Sequence, residues 1–328
     1  MLDSIAPVYW FYECRKGQIV DLLYEMGLPV ELLFGRTYEC TSRLEQHMFR
    51  DGRSRWSFDG DSLHPEDVAI VGMEQQLHRL DRPDDPDELH DLLERLLADG
   101  RRVLIWANND VLPFKSVGID YAEPDSTHSL MLHGARRSPD GLHFSYRDNW
   151  PACTGELEGG IVHQAVQRAH PDWRMQVVSL VPRPLCPADR LDLLQQSFAR
   201  FREELAPQPR LYDTMAEWIR LADDADRSRW ETLELAACWL AGSRTLFGCF
   251  LASVGAPPAL TASMQALGED MFRLRNAFAK SASGGKASKD RMLELNARLR
   301  LQDVDAGERL LASPFKPNPP LRVLASLA

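Results

Sequence analysis

The sequence lacks close cysteine pairs, a surplus of basic residues and an N-terminal signal of the secretory type. Its cysteines are widely spaced, with no C-x-x-C pair, so neither a disulfide framework nor a thiolate zinc site is indicated. The six cysteines lie at positions 14, 40, 153, 186, 238 and 249. The first residues, MLDSIAPVYWF, contain no basic segment before an apolar one. These absences predict a cytoplasmic protein with reduced thiols.

Basic residues are fewer than acidic ones: the chain has 38 Lys and Arg residues and 48 Asp and Glu residues, which give a net charge of −10. An acidic surface offers no footprint for phosphates, which excludes general nucleic-acid binding. The nine histidines show no metal-ligand spacing, so we expect no metal site. The GGK segment at 284–286 precedes an alanine rather than Ser or Thr, and is therefore not a nucleotide phosphate loop.

No long apolar segment is free of charge. The most apolar stretch, residues 236–254, is long enough to span a bilayer but contains Arg244 near its centre. Because a guanidinium is costly in hydrocarbon, the stretch predicts a buried helix rather than a membrane span.

The length of the chain, 328 residues, and the distribution of its helix and strand signals favour two domains. From Pro187 onward the apolar periodicity is helical throughout. Before residue 184, helix and strand signals alternate. They predict a helix over Asp84–Leu97 and strands over Val68–Met73, Val103–Ala107 and Met175–Val181. We therefore predict an α+β domain over 1–184 and an all-helical domain over 185–328.

The segment THSLMLHGARRSPDGLHFSYRDNWP, residues 127–151, predicts a β-hairpin. Two apolar and aromatic strands flank a cluster of turn residues that includes Pro and Gly. A tight turn would leave His128 and Asp148 far apart along the strands. A wider loop over Ala135–Gly141 places Asp148 directly opposite His128 and aligns the apolar residues of one face. We therefore predict the wider loop, with an imidazole and a carboxylate meeting at the open end of the hairpin.

Cys14 is the candidate nucleophile. Apolar residues recur at helical spacing after it, so the cysteine would lie at a helix N-terminus, where unpaired N–H groups and the helix dipole favour a thiolate. A thiolate, a histidine base and an orienting acid form the machinery of nucleophilic catalysis. The order Cys14, His128, Asp148 is that of papain-like enzymes.

Two alternatives concern the histidine and its partner. His133 lies on the opposite face of the first strand, and Asn149 would point away from His128 in the predicted register. For the oxyanion, the backbone N–H of Cys14 is one candidate donor and Tyr12 a second. Papain has a glutamine six residues before its nucleophile, where this chain has Val8.

The run ECRKGQIVDLLYEMGLPVELLFG, a later LPF, the motif H-S-L-M-L-H-G and the following Asp together resemble the butirosin-biosynthesis acyltransferase family. The resemblance covers roughly the first half of the chain. It implies a papain-like cysteine domain followed by a helical domain. It also implies transfer of an acyl group from a carrier-protein phosphopantetheine thioester to an amine, in the biosynthesis of an antibiotic or another specialised metabolite, with no cofactor beyond the donor's pantetheine.

An acyl carrier protein and a small-molecule amine are therefore the expected partners. Residues 271–316 have ten basic against five acidic side chains, and this surplus offers a docking surface for an acidic carrier.

Two other functions remain open from the residues alone. Water as acceptor would make the protein a thioesterase, amidase or peptidase. A non-catalytic binding protein would retain the hairpin only as structure. The sequence gives no indication of the oligomeric state.

Overall fold

The computed structural model describes residues 14–52, 60, 63–82, 84–114, 127–149, 152–206, 208–223, 225–320 and 323. They divide into two compact units. The sheet unit comprises the described residues of 12–27 and 72–184, and the helical unit those of 28–71 and 185–328.

A six-stranded antiparallel sheet forms the centre of the sheet unit, in the strand order β1-β6-β2-β3-β4-β5. Its strands are β1 Met73–Arg79, β2 Arg102–Asn108, β3 Thr127–Ser138, β4 Gly141–Asn149, β5 Ala152–Glu158 and β6 Gln176–Pro182. Among its described residues this unit has the helices α1 Cys14–Glu25, α3 Pro86–Ala98 and α4 Gly159–Gln167. Both β2 and β6 were predicted from the sequence, whereas the two edge strands β1 and β5 were not.

The hairpin β3–β4 is longer and tighter than predicted. Ser138 pairs with Gly141 across a two-residue turn, so Ala135–Gly141 is not a loop and the wider-loop prediction was wrong. Gly141 has a φ of +125°, which few residues other than glycine adopt, and this stabilises the tight turn. A β-bulge at His133 then shifts the register by one residue, from Gly134 opposite Ser145 to Leu132 opposite Tyr146.

The apolar core of the sheet unit lies between the sheet and the helices α3 and α4. Helix α3 begins where Asp85 accepts a hydrogen bond from the backbone N–H of Asp87, with Pro86 at the first helical position. Its leucines at 89, 92, 93 and 96 are buried in the core. Helix α1 also packs on β3 and β4. Its apolar residues Ile19, Val20, Leu22 and Leu23 are buried.

The helical unit contains no strand among its described residues. Its α-helices are α2 Thr41–Glu45, α5 Pro187–Glu204, α6 Arg210–Leu221, α7 Arg227–Ser253, α8 Pro258–Ala282 and α9 Lys289–Ala312, with 3-10 helices at Val30–Arg36 and Asp67–Val71 and a π-helical turn at Gln46–Arg50. The strand predicted over Val68–Met73 is therefore wrong over most of its length. The run is too short to distinguish a buried strand from a buried helical turn by periodicity.

The predicted boundary at residue 184 differs from the structure in one respect. Residues 28–71 belong to the helical unit although they precede the sheet in sequence. The phenol of Tyr38 donates a hydrogen bond to Asp303 of α9, and the hydroxyl of Ser243 in α7 accepts one from the backbone N–H of Glu39. Long-range contacts of this kind leave no local signal in the sequence.

Arg244, the charged residue within the apolar stretch, is paired with a carboxylate inside the protein. It lies at the centre of α7, fully buried, and its guanidinium forms two hydrogen bonds of 2.8 Å with the carboxylate of Asp303. Tyr212 donates a further hydrogen bond to that carboxylate, and the guanidinium stacks 3.6 Å from the ring centre of Tyr38. Helix α7 is the one helix among the described residues with the length and composition of a membrane span, and most of it is buried within the protein. The sequence predicted a buried helix rather than a membrane span here, and the burial of α7 agrees with that prediction.

Candidate active site

Cys14 is the first residue of helix α1, as predicted. The backbone N–H of Ser129, in strand β3, donates a hydrogen bond of 3.2 Å to its Sγ atom. A donor aimed at the sulfur stabilises a thiolate more than a thiol, and the helix N-terminus acts in the same direction. The residue is half-buried.

His128 and Asp148 meet, as predicted, with 2.6 Å between His128 Nε2 and Asp148 Oδ2. Both side chains are buried. The bond occupies Nε2, and this leaves Nδ1 as the nitrogen that can exchange a proton with a reacting group.

The imidazole also interacts with Cys14. Burial by itself lowers the pKa of His128, but the negative charge of Cys14 and the hydrogen bond to Asp148 outweigh burial and raise that pKa well above its usual value. A histidine with such a pKa holds its proton at neutral pH. The three predicted residues therefore form one connected group, Cys14–His128–Asp148.

The β-bulge accounts for how the hairpin brings the pair together. If the register that follows the bulge, with Met131 opposite Arg147, is continued to His128, Asp148 lies two residues from the directly opposite position. Such diagonal neighbours share a sheet face and are within reach of one another. The predicted meeting of His128 and Asp148 was correct, and the predicted route to it, a direct pair across a wide loop, was wrong.

Gln18 is a site residue that the sequence interpretation missed. It lies one helical turn after Cys14 and is 1% exposed. Its Nε2 atom donates to the backbone carbonyl of Ser129 at 2.8 Å and to Asp148 Oδ1 at 3.4 Å, and its Oε1 atom accepts from the Ser129 hydroxyl at 3.1 Å. The amide thus joins the helix of the nucleophile to the strands of the base and the acid. A polar residue at i+4 on the buried side of an apolar helix was the available signal.

Two more polar contacts continue along the same helix. Asn149 donates a hydrogen bond from Nδ2 to Asp21, and Arg147 forms an ion pair with Glu25. Asn149, the alternative partner of the histidine, is therefore engaged with α1, and Asp148 is the residue that contacts His128. Burial raises the pKa of Asp21 to about 6, against a smaller opposing effect of Arg147.

Other candidates do not join this group. His133 is the bulge residue and its side chain is exposed. Cys153 pairs with Asp148 across β4 and β5, yet burial, followed by the charge of Asp148, raises the pKa of its thiol. It is therefore kept protonated, unlike a nucleophile. Val8 and Tyr12 lie outside the described residues. No cluster of three or more potential metal ligands occurs among the described residues.

A cysteine at a helix start, a buried imidazole and a carboxylate, hydrogen-bonded in that order, form the type of site that enzymes use to carry an acyl group on a thiol. Comparison with curated proteins gives a relative from Niallia circulans, 26% identical over 244 residues, which span 74% of this chain and 76% of the relative. Its name is ribostamycin:4-(gamma-L-glutamylamino)-(S)-2-hydroxybutanoyl-[BtrI acyl-carrier protein] 4-(gamma-L-glutamylamino)-(S)-2-hydroxybutanoate transferase. This match confirms the resemblance found in the sequence motifs, and the chain is related to the butirosin-biosynthesis acyltransferases. No family model and no solved structure matches the sequence.

Proposed function

We propose that this protein is a papain-like cysteine acyltransferase that moves an acyl group from a carrier-protein thioester to an amine. The observation that carries the proposal is the hydrogen-bonded arrangement of Cys14, His128 and Asp148, with the N–H of Ser129 directed at the sulfur. The relative's name describes transfer of an acyl group from an acyl-carrier protein, which supports the same chemistry here.

Acylation begins with Cys14 as thiolate and His128 as imidazolium. The sulfur attacks the thioester carbonyl, and the tetrahedral intermediate carries its negative charge on oxygen. The N–H groups at the start of α1, with that of Cys14 first, would stabilise this oxyanion. When the intermediate collapses, the carbon–sulfur bond to the pantetheine breaks, and the leaving thiolate takes the proton of His128. The products are an acyl-Cys14 thioester and a free carrier thiol.

Deacylation reverses the roles of the two side chains. The amine attacks the acyl-Cys14 carbonyl, and His128, now neutral, accepts a proton from the amine nitrogen. Breaking the bond to Cys14 releases the amide and restores the thiolate–imidazolium pair. Asp148 holds the ring in position and stabilises the imidazolium at both stages. This reaction requires no metal and no cofactor of the enzyme's own, and we place it in the cytoplasm, within the biosynthesis of a specialised metabolite.

The carrier protein would dock on a smaller surface than residues 271–316. Half of the ten basic side chains there form ion pairs with carboxylates of this chain: Arg273, Arg275, Arg298, Arg300 and Arg309. Lys280, Lys286 and Arg291 are exposed around the turn between α8 and α9 and form no ion pair with any described residue. We propose this α8–α9 turn as the docking site for the acidic carrier.

Intact-protein mass spectrometry with a panel of acyl-pantetheine thioesters tests the proposal. We expect an acyl adduct on the native protein and on Cys153→Ala, which is the matched cysteine control, and none on Cys14→Ala. Adding amines to the isolated adduct then identifies the acceptor, because a mass loss that occurs equally fast without amine indicates a hydrolase. The proposal fails if no thioester gives a Cys14-dependent adduct or turnover. That result would favour a non-catalytic role for the protein.

A further inference from the structure

An aromatic surface lies beside the nucleophile in the sheet unit. Trp106 in β2 is directly paired with Ser129, the residue whose N–H donates to Cys14 Sγ. Directly paired residues project on the same face of a sheet, so the indole of Trp106 shares its face with the hydroxyl of Ser129, which bonds to Gln18 of α1. Arg15, the residue after Cys14, has its guanidinium 5.8 Å from the centre of the Trp106 ring.

A second indole extends this surface outward. Trp173 stacks on Trp106 with ring centres 4.9 Å apart and an angle of 21° between the rings. Trp106 is 8% exposed and Trp173 is 39% exposed. Tryptophan is enriched at binding interfaces because its ring is apolar and its N–H group is polar, and Trp173 combines this chemistry with an exposed position stacked on Trp106.

The segment that carries Trp173 is fixed to the strand of the catalytic base. The backbone N–H of His170 donates a hydrogen bond of 2.6 Å to the hydroxyl of Thr127, the residue before His128. The N–H of Trp173 in turn donates to the carbonyl of His170. Met175, which ends this turn, has a φ of +55°, a conformation that costs free energy for a side chain of its size. The aromatic surface is therefore linked through Ser129 to the sulfur of Cys14, and through His170 to Thr127, the residue before His128.

We infer that Arg15, Trp106 and Trp173 form a binding subsite for the planar amide groups of the acyl donor. This inference rests on the proposed acyl-transfer function. Planar amides stack on indole rings, and a guanidinium held over one of the rings donates hydrogen bonds to their carbonyls. An acyl-pantetheine offers such amides in its arm, and some acyl groups carry one of their own. The shared chemistry is a chain of planar amides that ends at a thioester.

Steady-state kinetics of Trp173→Ala, Trp173→Phe and Arg15→Ala test the subsite. We expect Trp173→Ala to raise KM about two- to twelvefold, the range that an aromatic contact of ~0.5–1.5 kcal/mol supplies, with kcat changed less than about twofold. Trp173→Phe should retain most of the affinity because it retains an aromatic face. Trp218 is the matched control, since Arg229 lies 5.4 Å from its ring centre in the helical unit, and Trp218→Ala should leave KM unchanged.

Donors of two kinds distinguish the sources of the amide. If the pantetheine arm binds here, Trp173→Ala raises KM more for butyryl-pantetheine, whose arm has two amides, than for butyryl-N-acetylcysteamine, which keeps one of them. If an amide of the acyl group binds here, KM rises for amide-containing acyl groups on both carriers and not for butyryl. An unchanged KM for every donor overturns the subsite, and so does an equal rise with Trp218→Ala.

Direct binding separates failure of the subsite from failure of the proposed function. The probe is an acyl-pantetheine analogue with an amide nitrogen in place of the thioester sulfur, added to the native protein while tryptophan fluorescence is recorded. Binding that Trp173→Ala weakens supports the subsite even if no thioester is turned over. Turnover through Cys14 with binding insensitive to Trp173 and Arg15 overturns the subsite and leaves the proposed function intact.

Discussion

Gln18 and Asp148 lie 130 positions apart in the sequence and are joined by a hydrogen bond of 3.4 Å from Nε2 to Oδ1. The other carboxylate oxygen of Asp148 accepts from His128, so the glutamine and the histidine hold the two oxygens of one acid. The last ladder pair of β3 and β4 among the described residues is Met131 and Arg147. Beyond it the Gln18 amide joins the backbone carbonyl of Ser129 in β3 to the carboxylate of Asp148 in β4.

We predict that Gln18→Ala lowers kcat/KM about 5- to 150-fold, the effect of removing a hydrogen bond to a buried carboxylate at ~1–3 kcal/mol. Gln18→Glu places a second carboxylate beside Asp148. The pair then takes up a proton at higher pH and its charge raises the pKa of His128, so both limbs of the pH–rate profile should move to higher pH. Measured pH profiles decide whether Gln18 positions the acid.

The control for Gln18 is Gln167→Ala, an exposed glutamine of the same unit that bonds to Asp84. It should leave both rate and profile unchanged. A Gln18→Glu protein that is only less stable, with both limbs of its profile at the native pH, would show that the amide has a merely structural role.

Asp148→Asn should move the alkaline limb of kcat/KM for acylation to lower pH. That limb reports loss of the His128 proton that the leaving thiol needs, and the Asp148 hydrogen bond and charge are among the causes that raise the pKa of His128. The measurement is kcat/KM against pH with one thioester donor. An alkaline limb at the native pH would mean that the charge of Cys14 alone sustains the raised pKa.

Asp21 should make the protein less stable as pH rises from about 4 to about 6. Its folded pKa of about 6 exceeds the ordinary aspartate pKa of 3.8, so within this window the folded state binds more protons than the unfolded state. Asp21→Asn can still accept a hydrogen bond from Asn149 and removes this effect. We expect a gain of about 1 kcal/mol at pH 7.5 and little change at pH 4, after allowance for partial exposure.

Urea denaturation of the native and Asp21→Asn proteins at the two pH values measures this difference. Asp290→Asn, an exposed carboxylate of the helical unit, is the control. Equal stability changes at both pH values would exclude titration of Asp21 as the cause.

Removing one partner of the buried Arg244–Asp303 pair should destabilise the helical unit strongly. Arg244→Met leaves a buried carboxylate with only tyrosine donors, and we expect a loss of about 3–5 kcal/mol. Arg309→Met breaks an exposed ion pair with Asp305 and should cost less than about 1 kcal/mol. Chemical denaturation of the two variants compares them, and equal losses would contradict the assigned importance of burial.

Charge reversal at the α8–α9 turn tests carrier docking. Lys280→Glu combined with Lys286→Glu and Arg291→Glu should raise KM for a carrier-bound donor about tenfold or more at low ionic strength, and much less at high salt. KM for the same acyl group on free pantetheine should not change. The control is Arg309→Glu, whose arginine is already paired. An equal effect on both donors would place the carrier elsewhere.

The sequence was sufficient for features with local signals. Helix α3, the interior strands β2 and β6 and the helix start at Cys14 follow from apolar periodicity or capping. The contact of His128 with Asp148 was predicted through a register that the hairpin does not have. The edge strands β1 and β5 were missed because one side of an edge strand has no neighbour in the sheet. MEQQLHR and ACTGELE accordingly lack the aromatic and β-branched pattern by which strands are recognised.

Features that depend on distant contacts were not accessible. A β-bulge adds one residue to a strand, and no particular residue type marks its position. The register shift at His133 therefore could not be predicted from the sequence of the hairpin. Gln18 resembles any polar residue on a helix until Ser129 and Asp148 are placed beside it. The assignment of residues 28–71 to the helical unit likewise depends on Asp303 and Ser243, more than 200 positions away.

The bulge at His133 divides the hairpin into two parts that can evolve differently. Residues between the bulge and the tip at Pro139–Asp140 can be added or removed in matched numbers on the two strands without moving the base relative to the acid. One residue inserted between His128 and His133 would instead turn the imidazole to the other face of the sheet. Among homologous proteins, length variation should therefore be confined to the distal part of the hairpin, and the five-residue spacing from His128 to the bulge should stay fixed.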